Sequence, residues 1–168
     1  MARMMPGRVA AAVALAVATA PPLVPARSAA QQSPVSIAPG PDYGAGWLHR
    51  LFMGEHYRDL WTTPIAVDVL DLDRAGGGLT PTRCGGGRQT KSVRFQTPDG
   101  REYAFRSVDK DPKLVLPEEL RRTFAAEVLQ DQISSAHPAA PLVVAPLLDA
   151  AGMRHAPPVM AVLPDDPR

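Results

Sequence analysis

The strongest constraint on the fold is a turn signal, Pro98-Asp99-Gly100, with alternating apolar and polar residues on both sides. Proline fixes its own φ, aspartate hydrogen-bonds to nearby backbone, and glycine adopts the left-handed conformation of tight turns. Alternation with a period of two is typical of antiparallel strands that bury one face. We therefore predict a β-hairpin over residues 90–108. Its apolar face carries Val93, Phe95, Tyr103 and Phe105.

The opposite face of this hairpin is basic, and a glycine triplet precedes its first strand. Guanidinium groups match the oxygens of phosphate or carboxylate, and a glycine backbone lets such an anion approach closely. The sequence therefore predicts an anion-binding site. Its candidate residues are the loop glycines and the basic side chains after them, Gly85, Gly86, Gly87, Lys91, Arg94 and Arg106.

Two other interpretations of this segment are possible from the sequence. The basic side chains could instead be solvated and pair with nearby carboxylates, at Asp99, Glu102, Asp109 and Asp111. The run GGGRQTKS also resembles a phosphate-binding loop, but Thr90 replaces the second glycine. Such a loop must also open a helix, whereas the residues after Ser92 alternate as a strand. We therefore expect no P-loop here.

Residues 1–30 have the pattern of a secretory signal peptide. Arg3 and Arg8 form a positive start, residues 9–20 are small and apolar, and Ser28-Ala29-Ala30 predicts cleavage after Ala30. The apolar run is short for a membrane helix, so we predict no transmembrane span in the mature chain. We expect the mature protein in the periplasm or associated with the outer membrane of a Gram-negative bacterium.

Charge is distributed unevenly along the mature chain. Residues 83–122 hold ten basic and six acidic side chains, whereas the segments on either side are net acidic. This excess is too small for a nucleic-acid surface and fits internal pairing or a small anionic ligand better, so we expect no nucleic-acid partner. Cys84 is the only cysteine, which excludes an internal disulfide.

The remaining patterns predict an α+β domain over residues 44–168, after a disordered linker at 31–43. Its small antiparallel sheet, with the hairpin at its centre, packs against a long helix over 117–135 and a shorter helix. Apolar spacing also predicts a helical segment from Ala45 to Trp61, with a break at Gly54. Further strands are predicted at 64–72, 79–82 and 159–163.

His49 and His56 are seven residues apart and could share a helix face with Glu55 and Asp59. However, the H-E-x-x-H spacing is absent and no second cluster completes a ligand set. We predict no metal site, no resident cofactor and no catalytic residues in this chain.

The order of elements resembles the small lobe of protein-kinase-like folds. In that family a glycine loop covers phosphates, a basic residue on the third strand grips them, and a helix carboxylate orients that base. The resemblance implies these roles for Arg106 and Glu127, with ATP and Mg²⁺ as ligands. No H-R-D or D-F-G element follows in the sequence, so the catalytic lobe would be missing.

A second resemblance rests on the phrases GEHYRDLWTTPI, GGGRQTKS, FRSVDKDP, LPEELR, QDQISSAHP and PDDP. They are similar to a segment of large exported bacterial envelope proteins that accompanies calcineurin-like metallophosphoesterase and outer-membrane β-barrel domains. The resemblance implies that the domain continues past Pro167 and that its partners are other domains of a longer envelope protein, or another envelope component. The D-x-H and G-N-H-[DE] ligand motifs of the phosphoesterase are absent from this chain.

Two functions follow as hypotheses. The first is an exported envelope module, non-catalytic by itself, whose basic hairpin binds an anionic ligand or a partner domain. The second is the nucleotide-binding lobe of a kinase-like phosphotransferase that lacks its catalytic lobe.

Overall fold

The computed structural model describes residues 11–17, 31–86 and 89–166. The strands are β1 Ala11–Val17, β2 Gln31–Ile37, β3 Ile65–Leu70, β4 Thr80–Gly85, β5 Ser92–Gln96, β6 Glu102–Ser107 and β7 Pro158–Val162. They form one sheet in the order β2-β3-β7-β1-β6-β5-β4. All neighbours are antiparallel except β3 and β7, which pair in parallel.

Four α-helices and five short 3-10 helices complete the described fold. The α-helices are α1 Trp47–Met53, α2 Arg58–Thr62, α3 Phe124–Asp131 and α4 Ala140–Ala150. The 3-10 helices are Pro41–Tyr43, Ala75–Gly77, Pro112–Val115, Glu118–Leu120 and Gln132–Ser135. The predicted α+β class is confirmed.

The predicted hairpin is present as β5 and β6. Its turn is closed by the Thr97 N–H, which donates to the Arg101 carbonyl at 3.0 Å, and Gly100 has φ 84°. The Thr97 hydroxyl donates to the Asp99 carboxylate, which also accepts from the Arg101 side chain. The turn residues identified in the sequence therefore make the contacts that turn chemistry requires.

One face of the sheet is buried under the loop between β3 and β4. Its core consists of Leu72, Leu79, Phe95, Phe105 and Ala161, with Val93 and Tyr103 packed against it. These include all four apolar hairpin residues predicted to share a face. The alternation in the sequence therefore identified the buried side of the hairpin correctly.

On the other face, helices pack over β7 and the segment after β6. Tyr43, Trp61 and Val108 form a second buried cluster there, with Ile133 and Met160 against it. The Trp61 indole N–H donates to the Ala136 carbonyl at 2.8 Å, which ties α2 to the segment after α3. Arg83, Arg94 and Arg106, towards the β4 edge of the sheet, are exposed.

The helix predicted over 117–135 is present as a bent series of shorter helices. Glu118–Leu120 is a 3-10 turn, α3 begins at Phe124, and the last turn tightens to a 3-10 helix at Gln132–Ser135. The Arg121 guanidinium donates to the Leu116 carbonyl and the Thr123 hydroxyl to the Leu120 carbonyl. These side-chain bonds satisfy the carbonyls where the α-helical ladder is interrupted.

The predicted helical segment from Ala45 to Trp61 is also present, broken as expected at Gly54. That glycine has φ 94°, a conformation that other residues avoid. The apolar stripe of α1 is not buried, however, because Trp47 is 77% and Phe52 78% exposed.

The structure differs from the sequence predictions at its N-terminal end. Ala11–Val17, inside the predicted signal peptide, forms β1 in the middle of the sheet. Gln31–Ile37, inside the predicted disordered linker, forms β2 and pairs with β3. Residues 1–10 and 18–30 lie outside the described ranges, so signal cleavage stays a prediction. Within those ranges, no helix has the length and apolarity that crossing a bilayer requires.

Candidate anion-binding site

Three arginine side chains lie on one face of the sheet, where β4, β5 and β6 run side by side. Arg83 on β4 is the cross-strand partner of Arg94 on β5, and Arg94 is the partner of Ala104 on β6. Arg106 lies two residues further along β6, opposite Ser92. Because cross-strand partners project from the same face, the three guanidinium groups share it. We call Arg83, Arg94 and Arg106 the arginine cluster.

The arginine cluster is exposed and poorly neutralised. Among the described residues, the carboxylate within ion-pair distance of the cluster is that of Glu102. Its Oε2 lies 3.8 Å from Arg94 Nη1, and the Arg94 and Glu102 side chains are 57% and 65% exposed. In the described ranges, neither Arg83 nor Arg106 has a carboxylate within ion-pair distance. Directly opposed residues have Cβ atoms about 4.5–5.5 Å apart, so the like charges of Arg83 and Arg94 repel each other. An anion bound between them would relieve that repulsion.

The other carboxylates considered as partners for these arginines are engaged elsewhere. Asp99 binds the Arg101 side chain at 2.7 Å inside the hairpin turn. Asp109 accepts a hydrogen bond from the Tyr43 hydroxyl at 2.6 Å. Asp111 accepts from the Lys113 backbone N–H. The interpretation of the basic face as a set of internal ion pairs therefore applies to Glu102 alone among these four.

The glycine loop lies at the end of the same strands. Gly85 is paired with Ser92, which in turn is paired with Arg106, so its backbone belongs to the same cross-strand row. Gly86 has φ 100°, and a Cβ there would lie 1.7 Å from the Thr90 carbonyl oxygen. The chain thus turns back on itself at a position that only glycine can occupy. Gly87 lies outside the described residues.

Lys91 precedes β5 and is held by its backbone. Its N–H donates to the Ser107 hydroxyl at 3.1 Å, and its carbonyl accepts from the Ser107 N–H at 2.9 Å. Its exposed side chain carries charge at the glycine-loop end of the hairpin. The structure therefore brings Gly85, Gly86 and Lys91 to the same end of the sheet as Arg106.

Glu127 does not join this site. It lies on α3 and lines a groove of about 470 Å³ between α1 and α3, with apolar walls from Leu48, Phe52 and Phe124. In the part of the chain that the structure describes, no ion pair links Glu127 to Arg106. The pairing that the kinase-like resemblance implies is therefore not formed in this structure.

Comparison with models of protein families, with curated proteins and with solved structures found no match.

Arg83 is the site residue that the sequence analysis missed. The predicted strand ended at Thr82, because Cys84 and Gly85 begin a glycine-rich run that is typical of a loop. In the structure β4 continues to Gly85, with an irregularity in register between Pro81 and Arg83. That shift places Arg83 opposite Arg94. The clue in the sequence was the short distance from Arg83 to the predicted hairpin.

The histidines considered as metal ligands bind protein groups instead. The His49 ring lies 2.9 Å from Asp131, and the His56 ring lies 2.8 Å from the Ser134 hydroxyl. Over the described ranges, no group of three or more His, Cys, Asp or Glu side chains is arranged to hold a metal ion. Cys84 is an exposed free thiol on β4.

Proposed function

We propose that this chain is a non-catalytic module of the bacterial cell envelope that binds an anionic group through the arginine cluster. The observation that carries the proposal is the arrangement of the exposed residues Arg83, Arg94 and Arg106 on one face of the sheet. Among the described residues, Glu102 alone is near enough to pair with this cluster. Like charges directly opposite each other on paired strands destabilise the sheet unless a counter-charge lies near them.

The chemistry of the cluster favours a phosphate or carboxylate group. Arginine presents a planar fork of N–H donors that matches two oxygens of such a group, and it keeps its charge at every physiological pH. Diagonal neighbours such as Arg94 and Arg106 are about 7–8 Å apart, and slightly less between Cβ atoms. Two long side chains at that separation can contact the same anion. The anion would belong to a soluble ligand or to an acidic side chain of a partner domain.

The test is a thermal-shift titration of the purified chain with inorganic phosphate, pyrophosphate, ADP, and ATP with Mg²⁺. A ligand that binds only the folded state raises the melting temperature as its concentration exceeds Kd. We expect phosphate or pyrophosphate to raise the melting temperature. We expect Arg83→Ala, Arg94→Ala and Arg106→Ala each to weaken binding by about tenfold to a hundredfold, because one charge-assisted hydrogen bond contributes about 1.5–3 kcal/mol.

Arg74→Ala is the matched control. Arg74 is 74% exposed and adjoins Ala75, which packs on the opposite, buried face of the sheet. Its removal changes net charge equally and should leave anion affinity unchanged. Equal affinity in the wild type and all three cluster variants would refute the site. A shift selective for ATP with Mg²⁺, abolished by Arg106→Ala, would favour the kinase-like lobe instead.

A further inference from the structure

The middle of the sheet is formed by a segment that the sequence predicts to be removed. β1 is paired with β6 over residues 12–17 and with β7 over residues 11–15, antiparallel on both sides. In the strand order, β1 alone separates β6 from β7. The predicted cleavage after Ala30 would detach this strand from everything that follows it.

Loss of β1 would expose two rows of backbone hydrogen-bonding groups that face each other. Neighbouring strands lie about 4.7–4.9 Å apart, so β6 and β7 would be separated by about 9–10 Å, the width of one strand. Unpaired edges of this kind bind further strands readily. The free-energy cost of losing β1 would be high, because residues beside the gap are buried. Phe105 is 5%, Ala161 5% and Val162 3% exposed.

We propose that, in the exported chain, the gap between β6 and β7 is a slot that takes an apolar β-strand from a partner polypeptide. The proposal depends on signal cleavage and is independent of the arginine cluster. The occupant runs antiparallel to both β6 and β7 and spans about seven residues, the length of β1. In this view, β1 holds the place of the partner strand in the uncleaved chain.

The surroundings define the chemistry of that strand. The cluster containing Phe105 and Ala161 lies on one face of the sheet, and the cluster containing Val108, with Met160 packed against it, lies on the other. A strand in the slot is therefore covered on both sides and reads as an unbroken apolar run, without charge.

The sequence of β1 also supports exchange. Four of its seven residues, AAVALAV, are alanine, and alanine is depleted in strands, whereas valine and isoleucine are enriched. An incoming strand rich in β-branched residues would have a higher propensity for the strand conformation than this alanine-rich sequence. The low strand propensity of β1 is thus consistent with its replacement by a partner strand after cleavage.

The experiment starts from the full chain with a specific protease site inserted between Ala30 and Gln31. The chain is cut after folding, the N-terminal fragment is removed, and amide hydrogen exchange is measured at Glu102–Ser107 and Pro158–Val162. We expect exchange at both strands to become at least tenfold faster. A synthetic peptide of residues 9–20 should restore protection, and a peptide with Ala12→Val, Ala14→Val and Ala16→Val should bind more tightly.

The matched control is the same peptide with Val13→Pro and Leu15→Pro, which should not restore protection because proline lacks the N–H that pairs with a neighbouring strand. Exchange at β5, Ser92–Gln96, should stay unchanged throughout.

The proposal is overturned if β6 and β7 stay protected after the fragment is removed, or if the cut chain unfolds and no peptide refolds it. Dimerisation without peptide would place a second copy in the slot and also overturn it. So would an intact mass showing that the protein from an exporting cell retains residues 1–30.

Discussion

Arg58 and Asp131, 73 positions apart in the sequence, form a two-pronged ion pair that joins α2 to α3. Nη1 donates to Oδ1 at 2.8 Å and Nη2 to Oδ2 at 2.7 Å. The remaining guanidinium contacts are the carbonyls of Gly54 at 3.0 Å and Tyr43 at 3.3 Å. Arg58 is only 1% exposed, so this pair holds the helical cluster together inside the protein.

Removal of one partner should therefore be strongly destabilising. We expect Asp131→Ala to lower the free energy of unfolding by about 3–5 kcal/mol, because it leaves the Arg58 charge buried without a counter-charge. The measurement is urea denaturation followed by circular dichroism. The double variant Arg58→Met/Asp131→Leu should lose much less, since a buried pair replaced by apolar residues is often close to neutral.

An exposed ion pair provides the control for this experiment. Asp59 pairs with Arg50 at 2.9 Å but is 78% exposed, so Asp59→Ala should cost about 1 kcal/mol or less. Equal losses from Asp131→Ala and Asp59→Ala would show that the buried pair has no special role in stability.

The same pair predicts a loss of stability in acid. Hydrogen bonds from Arg58 hold the pKa of Asp131 below its ordinary value of 3.8. A carboxyl group whose pKa is lowered by folding contributes its full stability above the ordinary pKa. That contribution disappears as the pH falls below about 3.8 through the folded-state pKa. Urea midpoints measured across this range should fall more steeply in the wild type than in Asp131→Asn, and parallel curves would contradict the assignment.

The opposite limb of the pH profile depends on Tyr43. Burial, together with its hydrogen bond to Asp109, raises the pKa of the Tyr43 hydroxyl well above its ordinary value. The unfolded chain therefore ionises first, and stability should decline as the pH rises above about 10. Tyr43→Phe removes this ionisation, so its unfolding free energy should decline less at high pH. An identical decline in both proteins, measured by urea denaturation, would rule out Tyr43 as the cause.

Several segments on which we proposed a resemblance to envelope proteins meet in this helical cluster. The phrase GEHYRDLWTTPI supplies Arg58 and Trp61, and QDQISSAHP supplies their partners Asp131 and Ala136. Gln130 of the latter donates to the Lys110 carbonyl at 2.9 Å, which connects it to the phrase FRSVDKDP. In the structure, these residues connect α2, α3 and the segment after β6 through an ion pair and hydrogen bonds.

Local sequence patterns predicted the hairpin but not the ion pair between Arg58 and Asp131. Alternation and turn chemistry act over a few residues, so β5, β6 and their buried face could be predicted from the sequence. A charged side chain is normally expected at the surface, and nothing near Arg58 indicates that its partner is Asp131. The burial of Arg58 is decided by tertiary packing, which the sequence pattern does not encode.

The sequence patterns missed β1, β2 and the full length of β4 for a related reason. The apolar run at β1 suits a signal peptide and a buried strand equally, since both are short and uncharged. The glycines after Arg83 suggested a loop, yet pairing with β5 extends the strand to Gly85. In both places a neighbouring strand, absent from the local sequence, decides the structure.

The repulsion between Arg83 and Arg94 predicts a gain in stability on removing one charge. We expect Arg83→Ala to raise the unfolding free energy by about 0.2–1 kcal/mol at low ionic strength. The gain should shrink in about 1 M NaCl, where charges are screened within about 3 Å. Thermal denaturation at both salt concentrations measures this, with Arg74→Ala as the control. Destabilisation by Arg83→Ala at either salt concentration would contradict the arrangement of charges described above.

The glycine loop gives a sharper test of local geometry. Gly86 has φ 100°, and an added Cβ would lie 1.7 Å from the Thr90 carbonyl oxygen, so the backbone must move to admit any other residue. Gly86→Ala should lower the unfolding free energy by at least about 1 kcal/mol, because both backbone strain and a steric clash oppose it.

Gly46→Ala is the matched control, since Gly46 has φ −71° and nothing lies within 4 Å of its added Cβ. Denaturation curves that shift equally for the two variants would show that the chain does not turn back at Gly86. Because Gly86 lies in the loop before Arg94, its alanine variant should also weaken phosphate binding, whereas Gly46→Ala should not.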